Sequence, residues 1–283
     1  MPIIVPPRNI KHFDTQVQPI SRTRGPCTIC GHHENLTVSH VFPQAIGNSG
    51  KFRAFGFTNT SSGQIEALIP RTFSNGVAFR TLCHDCNSSL GGTEDRVVID
   101  FFSQAKAALK ASPLIVSDPY IIRTKPNRLF RAVLGCFAAA NDTGQNTRLD
   151  DEISRIFKDR IRLKESEIRI YYWPYSGPWL TVVRDVVVSY NFARDSFWVN
   201  CLKFKPVGFA VTDKKSLFDL PCLNTYLCND QDGEMDIPFW RKHRENDIHW
   251  PANPGTNGMV LCSSESPSFV AAPSWRNVRF KPQ

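Results

Sequence analysis

Two cysteine pairs, Cys27-Thr28-Ile29-Cys30 and Cys83-His84-Asp85-Cys86-Asn87, decide how the first part of the chain folds. Each pair has the Cys-x-x-Cys spacing that lets two thiolates bind one metal ion, and two such pairs complete a tetrahedral zinc site. A closed site of this kind stabilises a small, irregular region that has little hydrophobic core of its own. We therefore predict a structural Zn²⁺ ion with four ligands, which are Cys27, Cys30, Cys83 and Cys86.

The other cysteines do not extend this pattern. The chain has nine cysteines, an odd number that favours metal binding over a disulfide framework. Cys136 and Cys201 lie in apolar runs, and we expect both to be small core residues. Cys222, Cys228 and Cys262 have no spacing that indicates a second metal site.

The segment between the pairs contains the candidate chemistry. Thr37-Val38-Ser39-His40-Val41-Phe42-Pro43 predicts a short strand that ends at a histidine and turns at a proline. A second strand is predicted around Val77-Ala78-Phe79-Arg80. A helix follows Asn87, with Pro113 closing it. The apolar residues of this helix recur at steps of three and four, and they are Val97, Val98, Phe101, Phe102, Ala105, Ala108 and Leu109.

In this combination the chain resembles the HNH nucleases, and within them the branch with zinc knuckles. The matching residues are the two cysteine pairs, His40-Val41-Phe42-Pro43, Ile46-Gly47, Asn87, Gly91 and Glu94-Asp95. Together they span residues 27–95, and nothing after the first long helix contributes to the resemblance. The combination is much more specific than any one of its parts.

The resemblance implies a ββα-metal fold, in which two strands and a helix hold one Mg²⁺ or Mn²⁺ ion beside the scissile phosphate. His40 would be the general base, since a neutral imidazole takes a proton from water near neutral pH. Asn87 would bind the ion through its amide oxygen, and its position also suits the N-cap of the following helix. The implied activity is hydrolysis of DNA phosphodiester bonds, in a setting such as restriction or phage defence.

Ser39 departs from the family, which usually has an acidic metal ligand directly before the histidine. A hydroxyl is a weaker ligand than a carboxylate for a hard cation. Three outcomes follow: Asn87 and water hold the ion, another acid such as Glu34, Asp85 or Asp95 reaches it, or catalysis is impaired. Asp95 is predicted to lie two turns after Asn87 on the same helical face, and it is the candidate for a second ligand of the catalytic ion.

Further residues complete the expected site. Asn75 is the nearest candidate for the asparagine that braces the histidine loop in the family, and an ordinary Asn-Gly turn is the alternative. Four basic residues between the knuckles could contact a DNA backbone, or lie on a solvated hairpin over the core, and they are Lys51, Arg53, Arg71 and Arg80. The histidines in or beside the knuckles, His32, His33 and His84, are expected to be exposed.

The whole chain is predicted to be α+β. Residues 1–26 form an arm, 27–112 the nuclease domain, 113–165 a helical spacer and 166–283 a β-rich domain without an assigned role. The spacer helices are expected at 127–140 and 150–158, and an antiparallel meander at 168–173, 179–190, 196–204 and 207–211. The aromatic residues of the meander suit either a core or base stacking.

Composition sets the partners and the location. A formal net charge of +8 suits a polyanion, so DNA is the expected partner and RNA stays open. The sequence contains no long apolar run and no signal peptide, which predicts a cytoplasmic protein without a membrane segment. A homodimer or a regulatory protein partner is compatible with the sequence. The alternative to a nuclease is a catalytically impaired zinc-knuckle module that binds nucleic acid or protein.

Overall fold

The chain has an α+β fold that combines helices with antiparallel sheets. The computed structural model describes residues 23–59, 65–67, 71–110, 119–141, 146–158, 163–190, 195–213, 220–229, 233–240, 258–262 and 268–273. Most of the predicted arm, residues 1–22, lies outside these ranges.

The first unit is a small sheet that brings both cysteine pairs together. Its strands, in the order β1-β2-β6, are β1 (Arg24–Pro26), β2 (His33–His40) and β6 (Ala78–Cys83). β2 and β6 are antiparallel, so that His40 is opposite Ala78 and Leu36 is opposite Cys83. The two predicted strands are therefore confirmed. The last residues of the predicted arm are instead a strand paired with β2, which corrects that boundary.

A long helix follows β6 directly. It consists of α1 (His84–Ser89), a π-helical segment (Leu90–Glu94) and α2 (Asp95–Lys110), and the residues that join these pieces have right-handed helical backbone. The predicted apolar face is confirmed, because Val98, Phe101 and Phe102 are buried in the core with the alanines of the same face. Pro113, predicted to close the helix, lies outside the described residues. Strands β2 and β6 with α1 form a ββα unit.

The second unit is a large antiparallel sheet. Among the described residues it has nine strands, ordered β4-β3-β14-β9-β10-β11-β8, with β13 paired to β9 and β5 paired to β3. These strands are β3 (Phe52–Asn59), β4 (Ile65–Ala67), β5 (Arg71–Phe73), β8 (Arg169–Pro174), β9 (Leu180–Tyr190), β10 (Asp195–Phe204), β11 (Val207–Thr212), β13 (Gly258–Cys262) and β14 (Phe269–Pro273). The four strands predicted as a meander lie where they were predicted, but only β9, β10 and β11 are neighbours in chain order. β8 pairs with β11 and not with β9, which corrects the predicted four-strand meander.

The large sheet crosses the predicted domain boundary. Strand β3 comes from the insertion between the two cysteine pairs, yet it pairs with β14 near the end of the chain. β14 in turn pairs with β9 of the meander. The ranges 27–112 and 166–283 therefore share one hydrogen-bonded sheet, and the expected boundary at 112 does not separate two sets of strands.

Two helices and a two-stranded ribbon pack between these units. The predicted helices of the spacer are present as α3 (Pro126–Ala139) and α4 (Arg148–Lys158). Pro126 occupies the first turn of α3, where its missing N–H is harmless. The ribbon of β7 (Tyr120–Thr124) and β12 (Met235–Phe239) was not predicted. No helix in the described ranges is long and apolar enough to cross a membrane.

Candidate metal centre and cleft

The four cysteines of the two pairs meet in one cluster, which we call the cysteine cluster. Their sulfur atoms all lie within 4.8 Å of one another, and Cys30 Sγ is 3.9 Å from Cys83 Sγ. Cys27 and Cys30 lie in a turn closed at Gly31, whose φ of 68° is the left-handed conformation that glycine adopts without strain. Cys83 ends β6 and Cys86 lies in the first turn of α1. The cluster could hold a metal ion such as zinc.

The charges of the cluster also favour a cation. The hydrogen bond from Cys86 lowers the pKa of the Cys27 thiol to about 4. The same hydrogen bond and burial raise the pKa of Cys86. Thiolates this close together repel one another, so all four ionise together only when a positive ion neutralises them. In the described part of the chain, no other group of cysteine, histidine and acidic side chains has this spacing.

The remaining cysteines behave as predicted where they are described. Cys136 and Cys201 are buried, and burial raises the pKa of Cys201 to about 12. Cys222 and Cys228 are half-buried and lie apart from the cluster. The side chain of Cys262 lies outside the described residues. The described cysteines therefore divide into a cluster that could hold a metal ion and residues that pack in or near the core.

A cleft of about 390 Å³ opens beside the ββα unit, between β2, the long helix and α3; we call it the His40 cleft. Its polar lining is Ser39, His40, Gln44, Asn87, Asp95 and Arg96. Its apolar lining includes Leu82, Leu90, Ile99, Ala132 and Ala139. The cleft thus brings His40 of β2 together with Asn87 and Asp95 of the long helix, which come much later in the sequence.

His40 is held at the end of β2 by the opposite loop. Its Nε2 atom lies 2.9 Å from the main-chain oxygen of Asn75. Because a carbonyl oxygen only accepts hydrogen bonds, Nε2 must donate. In the neutral ring the other nitrogen, Nδ1, then carries the lone pair that can accept a proton. The loop therefore selects the tautomer of His40.

The asparagine that braces this loop is Asn48, and the assignment of that role to Asn75 was wrong. Asn48 is 0% exposed, and its Nδ2 donates to the carbonyls of Phe42 and Val77 at 2.8 and 3.1 Å. Its Oδ1 accepts from the Val77 amide at 2.8 Å. Asn75 contributes its main-chain oxygen to His40, while its exposed side chain accepts a hydrogen bond from Gln44 and from no other described residue.

Gly76 shows why the loop closes so tightly on Asn48. Its φ is +77°, and a Cβ at this position would lie 2.1 Å from the main-chain oxygen of Asn48. No residue larger than glycine fits against that backbone. The Asn75-Gly76 pair is therefore a turn, as the alternative interpretation held, and the turn also presents the carbonyl that orients His40.

Asn87 points its amide nitrogen at β2. Its Nδ2 lies 3.1 Å from Thr37 Oγ1 and 3.2 Å from the Val38 carbonyl, and both of these atoms accept. Cys83 is the N-cap of α1, so the interpretation of Asn87 as an N-cap is wrong. With the nitrogen fixed by two acceptors, Oδ1 accepts no hydrogen bond from the described residues and remains available as a ligand.

Asp95 reaches the cleft because of the π-helical segment. A regular helix turns about 100° per residue, so eight positions would leave Asp95 about 80° from the direction of Asn87. The wider turn of a π segment takes up one extra residue, which returns Asp95 toward the same face. Burial raises the pKa of Asp95, with the charge of His40 acting against this shift and that of Glu94 adding to it.

The other acids considered for this role lie elsewhere. Glu34 is exposed on β2, opposite Gly25. Asp85 is exposed beside His84, with 3.3 Å between Oδ1 and Nδ1. Neither lines the cleft, so of the three acids only Asp95 fits the position. The knuckle histidines His32, His33 and His84 are exposed, as predicted.

Ser39 supplies an observation that bears on a metal ion in the cleft. Its side chain is 2% exposed and lines the cleft, and its Oγ has no hydrogen-bond partner among the described residues. A buried hydroxyl without a partner costs about 1–3 kcal/mol. A hard cation accepts hydroxyl, amide and carboxylate oxygens as ligands. Ser39, Asn87 and Asp95 together fit that donor set.

The predicted DNA-binding residues do not line the cleft. Arg80 donates from Nη1 to the Leu36 carbonyl at 2.9 Å, so it supports the pairing of β2 with β6. Lys51 and Arg53 are exposed, and Arg71 is half-buried on β5. Arg96 does line the cleft and was missed, because a single arginine after an acidic pair gives no signal until the phase of the helix is known.

The comparisons with known proteins give no family for this chain. No family model matches it, no curated protein matches it in sequence, and no solved structure matches it.

Proposed function

We propose that this protein is a metal-dependent endonuclease of the HNH type, which hydrolyses DNA phosphodiester bonds in the His40 cleft. The observation that carries the proposal is the hydrogen bond from His40 Nε2 to the Asn75 carbonyl, in a cleft that Asn87 and Asp95 also line. A histidine held in this way keeps one basic nitrogen for a proton from water. Restriction or phage defence remains the proposed setting.

The cysteine cluster has a separate, structural role in this proposal. Four sulfur ligands and no open position are typical of structural zinc, whereas catalytic zinc sites keep one position for water. The ion would fix the turn at Cys27 and Cys30 against the start of α1. Because Asn87 directly follows Cys86, this connection also sets where Asn87 begins its approach to the cleft.

The residues of the cleft divide the chemistry among themselves. His40 accepts the proton of the attacking water at Nδ1, while the Asn75 carbonyl holds the ring in orientation. Asn87, Asp95 and Ser39 would bind Mg²⁺ or Mn²⁺ through their oxygen atoms. Such an ion supplies positive charge against the phosphate and the leaving oxygen. Asp95 replaces the acid that the family has at the position of Ser39.

A zinc-knuckle module without catalysis is the second candidate, and Ser39 is the observation that favours it. The position before His40 offers a hydroxyl in place of a carboxylate, and burial raises the pKa of Asp95, the acid found among the described residues of the cleft. If these donors do not hold an ion, the protein would bind nucleic acid or a protein partner without cutting.

A plasmid assay tests the proposal and separates the two candidates. We expect the purified protein to nick and then linearise supercoiled DNA with Mg²⁺ or Mn²⁺. His40→Ala should lower the rate about 10²- to 10⁴-fold, the usual contribution of a general base. His33→Ala is the matched control, since His33 is an exposed histidine of the same strand outside the cleft.

The assay has two informative failures. If the wild-type protein leaves the plasmid intact with every divalent ion tried, the binding module is the better account. If His40→Ala cuts as fast as wild type, the protein is a nuclease but His40 is not its base. Running the same ions with an RNA substrate decides between DNA and RNA as the polymer that is cut.

A further inference from the structure

Arg96 stands apart from most of the arginines in the structure. Most described arginines have partners in the protein. Arg80 and Arg169 donate to main-chain carbonyls. Others form ion pairs with acids, among them Arg123 with Glu234, Arg131 with Glu94, Arg148 with Asp213, Arg155 with Glu152 and Arg184 with Asp150. Arg96 is exposed and forms no hydrogen bond or ion pair with the described residues. Its guanidinium group is free to bind a ligand.

The position of Arg96 places that free charge at the reaction site. It lies one residue after Asp95 in the first turn of α2, and it lines the cleft together with His40, Asn87 and Ile99. Ile99, three residues later, lies on the same side of the helix and forms part of the wall. Because Arg96 is exposed as well as lining the cleft, it lies at the edge of the cleft beside Ile99.

The negative charges in the cleft favour a positively charged side chain such as Arg96. Asp95 brings a carboxylate, and a phosphodiester brings one negative charge of its own. Hydrolysis adds further negative charge to the phosphate oxygens in the transition state. A guanidinium presents parallel N–H donors that match two phosphate oxygens, which a point charge does not.

We propose that Arg96 binds a backbone phosphate of the nucleic acid in the His40 cleft and positions it for cleavage without reading the base. This inference rests on the proposed function and names the part of the substrate that the site recognises. A phosphate contact is independent of sequence, so the contribution of Arg96 should be equal at every sequence that the enzyme cuts.

Binding without cleavage gives the first test. Fluorescence anisotropy would follow a fluorescein-labelled DNA duplex at several NaCl concentrations with no divalent ion added, which keeps the duplex intact. Arg96→Gln should weaken binding about tenfold, since it removes a hydrogen bond to a charged group. It should also reduce the slope of log K against log salt by about 0.9, the value for one phosphate contact.

Two variants control the binding test. Arg24→Gln removes the same charge from an exposed arginine on β1, opposite Asn35 and therefore at the end of β2 away from His40. It should leave both the affinity and the salt slope unchanged. Arg96→Lys should keep the salt slope, because the charge remains. In single-turnover cleavage it should still be slower than wild type, because an ammonium lacks the planar pair of donors.

The outcomes separate this inference from the proposed function. If the wild type cuts DNA and Arg96→Gln matches it in salt slope and single-turnover rate, Arg96 has no such role while the nuclease stands. Arg96 also has no such role if Arg24→Gln lowers the DNA affinity and the salt slope as much as Arg96→Gln does. If the wild type binds but never cuts, and Arg96→Gln still lowers the slope, the phosphate contact stands and the nuclease fails. If the wild type neither binds nor cuts, both fail.

Discussion

The cysteine cluster and the His40 cleft meet at neighbouring residues of one helix, Cys86 and Asn87, yet they are built in opposite ways. The cluster gathers four identical thiol groups, whose sulfur atoms all lie within 4.8 Å of one another. The cleft gathers a hydroxyl, an amide, a carboxylate and an imidazole around a space of about 390 Å³. A site complete in itself suits stability, whereas a site with open positions suits a substrate.

This difference separates what each site contributes to the protein. Loss of the cluster should change the free energy of unfolding, because its ligands join β6, α1 and the turn after β1. Loss of the polar residues of the cleft should change chemistry with small effects on folding, because these residues line a cleft and are not part of the hydrophobic core.

The largest effect is expected from Cys83→Ser. Zinc contributes about 10–16 kcal/mol to the folding of small zinc domains, and the loss of one thiolate forfeits much of that. Thermal unfolding should begin far below that of wild type, and the bound zinc measured by atomic absorption should fall. Cys222→Ser, a half-buried cysteine outside the cluster, is the control and should retain its zinc. A Cys83→Ser protein with normal zinc content and Tm would contradict the cluster's role.

A middle effect is expected from Asn48→Ala, which tests whether the cleft depends on its braced loop. The change removes three hydrogen bonds from buried backbone groups of Phe42 and Val77, at a cost of about 1–3 kcal/mol in unfolding free energy. Urea denaturation would measure it. Asn75→Ala removes only a bond to the exposed Gln44 side chain and should cost under about 0.5 kcal/mol. Equal losses in the two variants would mean that Asn48 does not brace the loop.

The smallest effect is expected from Asp95→Asn, and its sign is favourable to folding. Burial raises the pKa of Asp95 above its ordinary value of 3.8, so the native state binds a proton more tightly than the unfolded state. The stability of wild type therefore falls as pH rises from about 3.8 through the raised pKa, and stays lower above it. Asparagine does not titrate, so the Asp95→Asn variant should not lose stability over this pH range.

Thermal scans of Asp95→Asn without added divalent ions would test this sign. The variant should unfold at a higher temperature than wild type at neutral pH, and the difference should vanish below pH 3.8. Its cleavage should fall at the same time, since the second oxygen ligand is weakened. A variant that is less stable at neutral pH and fully active would show that Asp95 serves the fold rather than the cleft.

The contrast between the cysteine cluster and the His40 cleft also explains which features could be predicted from the sequence. Spacing alone identifies the cysteine cluster, because all four ligands are of one type and each pair is local. Local patterns also predict the meander strands and the buried face of α2. His40 and Asn87 are predicted from the resemblance to the HNH nucleases, and the structure places both of them in the lining of one cleft.

Features that depend on contacts between residues far apart in the chain could not be predicted from the sequence. Asn48 stands before Ser49-Gly50 in what resembles a surface turn, and nothing local indicates that it is fully buried. The π-helical segment changes the phase of the helix by one residue, and no apolar repeat extends across it to reveal the change. The pairing of β3 with β14 joins segments near opposite ends of the chain, and short strands do not specify such distant partners.

The pairing of β3 with β14 limits how the chain can be cut into fragments. Strand β14 lies between β3 and β9, so a protease or a stop codon that removed residues 269–273 would uncover two rows of unpaired N–H and C=O groups. Such rows recruit strands from other molecules and lead to aggregation. β14 is five residues long and carries no motif, yet it joins the early strand β3 to the late strand β9. A fragment of residues 27–112 alone lacks β14, so we expect it not to stay monomeric in solution.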